Sequence, residues 1–389
     1  MKIAFIGQKG IPAIQGGVEK HVEELSTRLA KQGHEVFVYV RNNYTDKRIK
    51  KYKGVKLIHL PSISNKNLDT ISHTFLATLH AIFRRYDVIH YQAIGPSSLS
   101  FLIRIFKPFT SLVATFHCQD YYHQKWGWFA GVYLRFGEYI TCKIPHKTIV
   151  ISNILKNYVK KYYEKDAIVI PNGAEANPTK KDQALKIWNL KKKNYIISVS
   201  RLIRHKGIHY LIEAFKQLED INKIPNNFKL VIVGDGFHTD DYVNYLKKIS
   251  VGRKNIIFTG SQTSSNLEQL FSHAYLFVQP SESEGLSLSL LEAMGYGIAP
   301  LVSDIPENLD PIGECGFSFE NKNVADLRDK IVYLLVKPEE VEKIGLLAKE
   351  KAEKKYSWDS IARKTAQVYE ELISKKCLKE QYAYKSKKI

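Results

Sequence analysis

Short hydrophobic runs alternate along this chain with longer stretches in which hydrophobic residues recur every three or four positions. Residues 3–7 predict a strand, and residues 18–32 predict a helix with Val18, Val22 and Leu25 on one face. Such alternation predicts parallel strands joined by crossover helices, as in a doubly wound α/β fold. Further predicted strands cover residues 35–40, 55–60, 88–91, 111–116, 148–151, 167–170, 196–199, 230–233, 255–258, 276–279 and 299–303, and a further helix covers residues 209–219.

The length of the chain predicts two domains, because 389 residues exceed what one hydrophobic core usually serves. A Pro-Asn-Gly turn at residues 171–173 is interpreted as the end of the first domain. The lysine-containing segment 177–193 is interpreted as a linker into the second, and helical periodicity returns after Ser357. We therefore expect domains at residues 1–175 and 176–360, followed by a C-terminal helix and basic tail at residues 361–389.

Composition excludes several classes of protein. A hydrophobic fraction of 44% with 12% aromatic residues excludes a disordered chain. The four cysteines (Cys118, Cys142, Cys315, Cys377) form no C-x-x-C pair or Cys/His cluster, which argues against a disulfide framework and favours a reducing compartment. Residues 1–7 do not have the pattern of a signal peptide, and no apolar run is long enough to span a membrane. We expect a cytoplasmic protein, soluble or peripheral on a membrane.

Positive charge is concentrated in the first half of the chain. Residues 1–175 contain 25 Lys and Arg against 12 Asp and Glu, a balance of +13, and the remainder contains 33 against 27. A basic half suggests an anionic lipid, nucleic acid or substrate as partner, although no nucleic-acid-binding motif accompanies it. Ordinary solubility charge is the alternative.

Aromatic and basic residues interleave over residues 101–139, which favours contact with the inner face of the plasma membrane, where anionic lipids attract cations and headgroups accept aromatic rings. A buried helix pair is the competing interpretation. The interleaved residues include Arg104, Phe106, Lys107, Phe109, Tyr121, Tyr122, Lys125, Trp126, Trp128 and Phe129.

Two acidic residues, Glu284 and Glu292, flank a glycine and a helix-like pattern within residues 281–292. If a helix begins just after Gly285, the two carboxylates are separated by roughly 12 Å along its axis. This is about the span from the hexose to the ribose of a nucleotide-diphospho-sugar, and the amides of Gly285, Leu286 and Ser287 would point at its diphosphate. The alternative is an ordinary acidic residue at a helix start and a solvated Glu292.

Three more strand ends carry candidate chemistry, because parallel sheets bind ligands at the carboxyl ends of their strands. Arg201 and Lys206 follow the predicted strand 196–199 and could bind two phosphates, stabilising charge on a departing diphosphate; a solvated loop is the alternative. Gly234 would let a nucleotide lie close to the backbone, and a tight turn is nearly as plausible. The same holds for Gly16 and Gly17, whose position before a helix suits a phosphate or an ordinary turn.

These motifs resemble those of the retaining nucleotide-sugar glycosyltransferases of family 4, which have the GT-B fold. The resemblance includes an E-x7-E pattern at Glu284 and Glu292 and an R-x4-K pattern at Arg201 and Lys206. It extends over residues 198–215, 230–236, 257–261 and 296–306. Residues 7–29 resemble the rhamnosyltransferase-like branch that acts in bacterial surface polysaccharide synthesis.

The resemblance implies two Rossmann-like domains facing an interdomain cleft, with the donor on the C-terminal domain, the acceptor on the N-terminal domain, and a terminal helix that crosses back to the N-terminal domain. It also implies that Arg201 and Lys206 bind the diphosphate, that Glu284 and Glu292 bind sugar and ribose, and that Gly16 and Gly17 face donor phosphate and acceptor. His117, after the strand 111–116, would lie beside the donor sugar, although a lone histidine is more often structural. Asp120 is a candidate for orienting the acceptor.

The expected function is therefore transfer of a hexose or deoxyhexose from a nucleotide-diphospho-sugar to a glycan or a polyprenyl-diphosphate-linked acceptor, with retention of configuration. The sequence has no D-x-D motif, so we expect no metal cofactor. A sugar-nucleotide epimerase, a sugar phosphorylase, and a non-catalytic basic scaffold or nucleic-acid binder are the alternatives.

Overall fold

The computed structural model describes residues 1–14, 16–65, 68–119, 128–236, 239–262 and 264–386, without the side chains of Phe129, Ser264 and residues 377–386. It contains two compact units. The first unit comprises residues 1–172 with 358–389, and the second comprises residues 173–357. The second unit is therefore inserted in sequence between two parts of the first.

The first unit is built on an eight-stranded sheet in the order β3-β4-β2-β1-β5-β6-β7-β8. All neighbouring pairs are parallel except β3 with β4. Apart from the exposed Lys2, its central strands are buried along their length, as expected when helices cover both faces. The strands are β1 (Lys2–Ile6), β2 (Glu35–Arg41), β3 (Lys51–Tyr52), β4 (Val55–Leu60), β5 (Val88–Gln92), β6 (Ser111–Phe116), β7 (Lys147–Val150) and β8 (Ile168–Val169).

Helices cover both faces of this sheet. They are α1 (Gly17–Lys31), α2 (Asp69–Ile82), α3 (Ile94–Ser97), α4 (Ser100–Phe106), α5 (Trp128–Lys143) and α6 (Asn153–Tyr163), with α15 (Trp358–Ser386) from the far end of the chain. Two adjacent residues of β5, whose side chains point to opposite faces of the sheet, show which helices cover which face. The Tyr91 hydroxyl is hydrogen-bonded to the Thr78 hydroxyl of α2 at 2.7 Å, and His90 Nδ1 lies 2.6 Å from the Tyr369 hydroxyl of α15. Thus α15 packs with α1 on one face, and α2 lies on the other with α4, which also contacts α5.

The second unit has a six-stranded parallel sheet in the order β11-β10-β9-β12-β13-β14. Its strands are β9 (Tyr195–Val199), β10 (Lys229–Val233), β11 (Ile256–Gly260), β12 (Leu276–Gln279), β13 (Ala299–Ser303) and β14 (Phe317–Phe319). Its helices are α7 (Gln183–Ile187), α8 (Ile208–Asp220), α9 (Asp240–Ile249), α10 (Ser264–Ser272), α11 (Leu288–Gly295), α12 (Pro306–Ile312), α13 (Val324–Leu335) and α14 (Pro338–Lys355). A continuous apolar core joins α8 and α13 to the sheet.

The expected linker and two short strands differ from the sequence-based expectation. The segment 177–193, interpreted as a linker, contains α7, where Ala184 and Leu185 are buried and the Ala184 amide donates to Gln269 at 2.8 Å. The short strands β3 and β14 were not predicted, because each is too short to show a period. Within the described residues, no helix has the length and hydropathy to cross a bilayer.

Candidate active site

The second unit brings three of the predicted strand-end loops to one edge of its sheet. Strands β10, β9 and β12 are consecutive neighbours, and all three are parallel. The loop after β9 carries Arg201 and Lys206, the loop after β10 carries Gly234, and the loop after β12 carries Glu284 and Gly285. Predicted donor-binding residues from distant parts of the sequence therefore lie along a single sheet edge.

An ion pair joins two of these loops. Lys206 Nζ lies 2.6 Å from Glu284 Oε1, and the Ser281 hydroxyl donates to the same oxygen at 2.7 Å. The side chains are largely buried, with 15% of Lys206 and 6% of Glu284 exposed. The sequence assigned these residues to different parts of the donor, and it carried no indication that they contact each other.

Backbone contacts hold the same two loops together. The Glu282 amide donates to the His205 carbonyl at 2.8 Å. Gly207, with φ of +67°, follows the 3₁₀ turn Arg204–Lys206, and a Cβ added there would lie 1.8 Å from the Pro280 carbonyl oxygen. Only glycine permits both this conformation and this approach. The position of Lys206 against Glu284 thus depends on a close backbone contact.

Gly234 serves a similar packing role between β10 and the loop after β9. Its φ is +135°, and an added Cβ would lie 1.9 Å from the Ser200 carbonyl oxygen. The Leu202 amide also donates to the Asp235 carbonyl at 2.9 Å. A structural reason therefore exists for this glycine, and its proposed closeness to a nucleotide stays a prediction.

The helix expected just after Gly285 begins at Leu288, with Ser287 as its N-cap. The Ser287 hydroxyl accepts from the Leu290 amide at 3.3 Å and donates to Gln279 Oε1 at 2.6 Å. Gly285 and Leu286 thus belong to the loop that enters α11 rather than to the helix. A polar chain continues from Gln279 Nε2 to Asn308 Oδ1 at 2.6 Å, which fixes this loop against α12.

Glu292 is half-buried on α11. Burial is the main reason that the pKa of Tyr296, one turn later, is raised to about 12, and the negative charges of Glu268, Glu292 and Glu175 raise it further. Glu292, Glu268 and Glu175 thus all contribute negative charge at the Tyr296 hydroxyl.

We predict that the ribose hydroxyls of a bound donor donate hydrogen bonds to Glu292. Glu292→Gln should then weaken nucleotide binding about tenfold to hundredfold, because a charge-assisted hydrogen bond is lost. Calorimetric titration with the nucleoside diphosphate measures this, with Glu213→Gln on α8 as a control for loss of an acidic side chain. An unchanged affinity in Glu292→Gln would remove the ribose role.

Glu307, in the first turn of α12, is an acidic residue close enough to Glu284 to be affected by its charge, and it was not singled out from the sequence. The pKa of its carboxyl is raised, chiefly by burial; a hydrogen bond from its own amide opposes the shift, and the negative charge of Glu284 adds to it. Glu307 follows β13, the strand next to β12, so knowledge of the sheet order could have found it. It places a second carboxyl in the electrostatic field of the Lys206–Glu284 pair.

In the first unit, Gly16 and Gly17 lie where α1 begins, and Gly16 has φ of +106°. Two buried carboxylates of α1 bind the preceding loop: Glu19 Oε1 accepts from the Lys9 amide at 3.1 Å, and Glu23 Oε2 accepts from the Ala13 amide at 2.6 Å. The helix itself therefore holds the glycine-containing loop, a function of these glutamates that helical periodicity could not reveal.

His117 follows β6 and lies in a buried polar cluster. Its Nε2 is 2.8 Å from Gln92 Oε1, and its ring meets the His21 ring edge to face at 4.9 Å. His21 Nδ1 is 3.0 Å from Asn172 Oδ1. Burial lowers the pKa of His21 to about 4, against the effect of that hydrogen bond, so His21 is neutral at pH 7. Asp120 lies outside the described residues.

Gln92 and His21 were not singled out from the sequence, since they come from β5 and α1 and meet His117 only in the folded unit. Gln92 is fully buried, and its contact with His117 Nε2 restricts the orientation of the imidazole. Among the residues that the structure describes, no group of three His, Cys, Asp or Glu side chains could hold a metal ion.

Both halves of the chain match known protein families. Residues 15–177 match the family described as Glycosyltransferase Family 4, and residues 180–351 match Glycosyl transferases group 1. Alpha-monoglucosyldiacylglycerol synthase of Streptococcus pneumoniae is 27% identical, covering 76% of this chain and 70% of that protein. The N,N'-diacetylbacillosaminyl-diphospho-undecaprenol alpha-1,3-N-acetylgalactosaminyltransferase of Campylobacter jejuni is 31% identical, covering 50% of this chain and 49% of that protein.

Solved structures share the fold over nearly the whole chain. Sucrose-phosphate synthase from Thermosynechococcus elongatus has a TM-score of 0.81 at 21% identity, covering 96% of this chain and 99% of that chain. Anabaena HepE in complex with UDP-glucose has a TM-score of 0.78 at 18% identity, covering 95% of this chain and 100% of that chain. The expected fold of two Rossmann-like α/β domains with parallel sheets, the GT-B fold, is confirmed.

Proposed function

Because the chain belongs to the glycosyltransferases with the GT-B fold, we propose that it moves a hexose or deoxyhexose from a nucleotide-diphospho-sugar to a glycan or lipid-linked acceptor. Configuration is retained, and the reaction belongs to cell-surface polysaccharide synthesis, in the rhamnosyltransferase-like branch. The Lys206–Glu284 ion pair carries this proposal, since it joins a cation for phosphate to a carboxylate for sugar hydroxyls at one sheet edge.

The ion pair is compatible with donor binding. A lysine ammonium has three donors, so Lys206 can keep its bond to Glu284 while it donates to a phosphate oxygen. Arg201, exposed in the same loop, supplies the second cation. Their charge stabilises the diphosphate as it departs. Glu284 then receives hydrogen bonds from the sugar, and Gly234, Gly285, Leu286 and Ser287 line the backbone along the nucleotide.

The proposed reaction needs no separate general base. The bond from the anomeric carbon to the diphosphate oxygen breaks, and the acceptor oxygen bonds to that carbon on the same face. The acceptor proton passes to the departing diphosphate oxygen. Acceptor binding is assigned to Gly16, Gly17 and Asp120 of the first unit. His117 is assigned to the donor sugar, and Gln92 restricts the orientation of its imidazole.

The donor is identified first by its effect on stability. A panel of nucleotide-sugars is screened by thermal shift, and the stabilising compound is then incubated with a polyprenyl-diphosphate-linked acceptor. We expect a glycosylated lipid whose anomeric configuration, read by NMR, equals that of the donor. An epimerised nucleotide-sugar without transfer would identify an epimerase, and phosphate-dependent release of a sugar phosphate would identify a phosphorylase. The absence of all three reactions would indicate a non-catalytic scaffold.

Metal independence is a separate prediction. Arg201 and Lys206 supply two positive charges at the diphosphate, so we expect turnover to persist after dialysis against EDTA. The measurement compares kcat before dialysis, after dialysis and after readdition of magnesium. A strict requirement for the added metal would show that these cations do not replace it.

We further propose that the protein acts at the inner face of the plasma membrane. The balance of +13 over residues 1–175 supports this, because anionic lipids attract basic surfaces. The name of the Streptococcus pneumoniae relative denotes a glycolipid synthase, and that of the Campylobacter jejuni relative includes a diphospho-undecaprenol. Such an acceptor is confined to the membrane.

A further inference from the structure

One face of the first unit exposes an unusual amount of apolar surface. On α2, Phe75, Leu79 and Phe83, the residue after its end, are spaced four apart and exposed, with 80% of Phe83 accessible. Residues four apart on a helix project on the same side. The opposite side of α2 packs Ala77 and Ala81 into the core beneath the sheet. This helix is therefore apolar on both its inner and its outer side.

Helix α5 repeats the pattern, and the end of α4 joins it. Trp128, Val132, Phe136 and Tyr139 form an exposed stripe on α5, with 74% of Trp128 accessible. Since α4 contacts both α2 and α5, its exposed residues extend the apolar surface between them. They are Ile105, Phe106 and Phe109. We call these ten residues of α2, α4 and α5, with Phe83 and Phe109 at their ends, the apolar face.

A helix that covers a sheet normally turns polar residues to water. Helix α9 of the second unit does so, with exposed Asp241, Asn244, Lys247 and Lys248. Contiguous exposed apolar residues on a folded protein instead mark a surface that binds a partner or a membrane. We therefore expect the apolar face to bind a partner or a membrane.

Positive charge accompanies the apolar face. The exposed cations on or beside the same helices are Arg84, Arg85, Arg104, Arg135 and Lys143. The carboxylates of these helices are already engaged, because Asp69 pairs with Arg41 at 2.5 Å and the buried Glu138 accepts from Tyr158 at 2.8 Å. Lys107 Nζ also donates to the Arg84 carbonyl, which ties the ends of α4 and α2 together.

We propose that the apolar face docks on an anionic lipid bilayer, with its aromatic rings at the headgroup level and the accompanying arginines on lipid phosphates. Aromatic residues flanked by cations suit this boundary, since the rings enter the interface while the charges stay in water. The proposal deepens the proposed function, because it names the surface that brings the enzyme to a membrane-confined acceptor. The sequence located only the α4–α5 part of this surface; the α2 stripe emerges from the fold.

The test uses the full chain without donor, and vesicles of phosphatidylcholine with or without phosphatidylglycerol. We expect cosedimentation with the anionic vesicles only, declining as salt rises. The triple variant Phe83→Ser/Phe106→Ser/Trp128→Ser should lose at least about tenfold in binding, because three large apolar side chains no longer enter the interface. Replacing Arg84 and Arg85 with glutamine should cost about fivefold for each arginine.

A matched control removes equally exposed apolar side chains from the second unit, in the variant Val251→Ser/Val336→Ser/Leu346→Ser. Its vesicle binding should equal that of the wild type. Equal losses in both triple variants, or a wild type that ignores anionic vesicles at low salt, would overturn the proposal. The wild type could instead prove to be a dimer that the triple change at Phe83, Phe106 and Trp128 dissociates without altering vesicle binding. That result would make the apolar face a contact between two copies of the chain.

The outcome is independent of the proposed chemistry. Sugar transfer is measured separately with a detergent-solubilised acceptor, for which docking is not required. A protein that docks but transfers no sugar would refute the proposed function alone. A protein that transfers sugar in detergent but does not bind anionic vesicles would refute the docking surface alone.

Discussion

Replacing Lys206 with alanine is expected to lower kcat by a factor of about 100 to 1,000, the usual cost of removing one group that stabilises charge in a transition state. Negative charge grows on the diphosphate as the sugar departs, so the lysine contributes more in the transition state than in the bound donor complex. The acceptor KM should therefore change little. Steady-state kinetics with donor and acceptor varied separately measure both values.

Loss of Lys206 also leaves the largely buried Glu284 without its cation, which destabilises the fold. The double variant Lys206→Ala/Glu284→Gln removes the unpaired charge, so its stability should recover. Because Glu284 is itself assigned to the donor sugar, its kcat is compared with that of Glu284→Gln alone, and it should be the lower of the two. Lys216→Ala removes a lysine that pairs with Glu213 at 3.0 Å on α8 and should leave kcat unchanged. Near-normal turnover in Lys206→Ala would refute the assignment of Lys206 to the diphosphate.

Gly207→Ala is expected to lower the free energy of unfolding by about 2 to 5 kcal/mol. The left-handed φ of +67° costs an L residue about 1 to 2 kcal/mol, and the new methyl carbon would meet the Pro280 carbonyl oxygen at 1.8 Å, an overlap that costs about 1 to 3 kcal/mol more. The loops after β9 and β12 would have to separate. Urea unfolding followed by circular dichroism measures the loss.

Gly252→Ala is the matched control for this prediction. Gly252 lies in the same unit with φ of +83°, and, apart from its own atoms and those of its two chain neighbours, no heavy atom of the described residues lies within 4 Å of the position that a Cβ would take. Its replacement should cost only the conformational term of about 1 to 2 kcal/mol. Equal losses in the two variants would show that contact between the loops does not explain the glycine at residue 207.

Local patterns were sufficient to predict the type of fold. The strand predicted at residues 111–116 coincides with β6, and the helix predicted at 18–32 corresponds to α1 at Gly17–Lys31. Burial on both faces makes such strands continuously apolar, and the apolar residues of α1 recur every three or four positions, so each element carries its own period. The confirmed alternation of these elements led to the two Rossmann-like domains.

The contacts within the candidate site could not be predicted in this way. Lys206 and Glu284 are 78 positions apart, and they meet only because β9 and β12 are neighbours in the sheet. Periodicity shows that a strand exists but not which strand lies beside it. The same limit applies to Gln92 beside His117 and to Glu307 near Glu284, whereas the chemical types of Arg201, Lys206 and Glu284 were evident from their motifs.

The insertion of the second unit into the first has a consequence for synthesis on the ribosome. Residues 173–357 are contiguous, so this unit can complete its packing as soon as it has emerged, although it is translated after most of the first unit. The first unit must wait for α15, which supplies the Tyr369 hydroxyl to the buried His90 and Asp359 to Arg28 at 2.9 Å. A nascent chain whose residues up to 357 have left the ribosome while α15 is still inside it would thus carry a finished later domain and an unfinished earlier one, with the α15-facing surface of α1 exposed to chaperones.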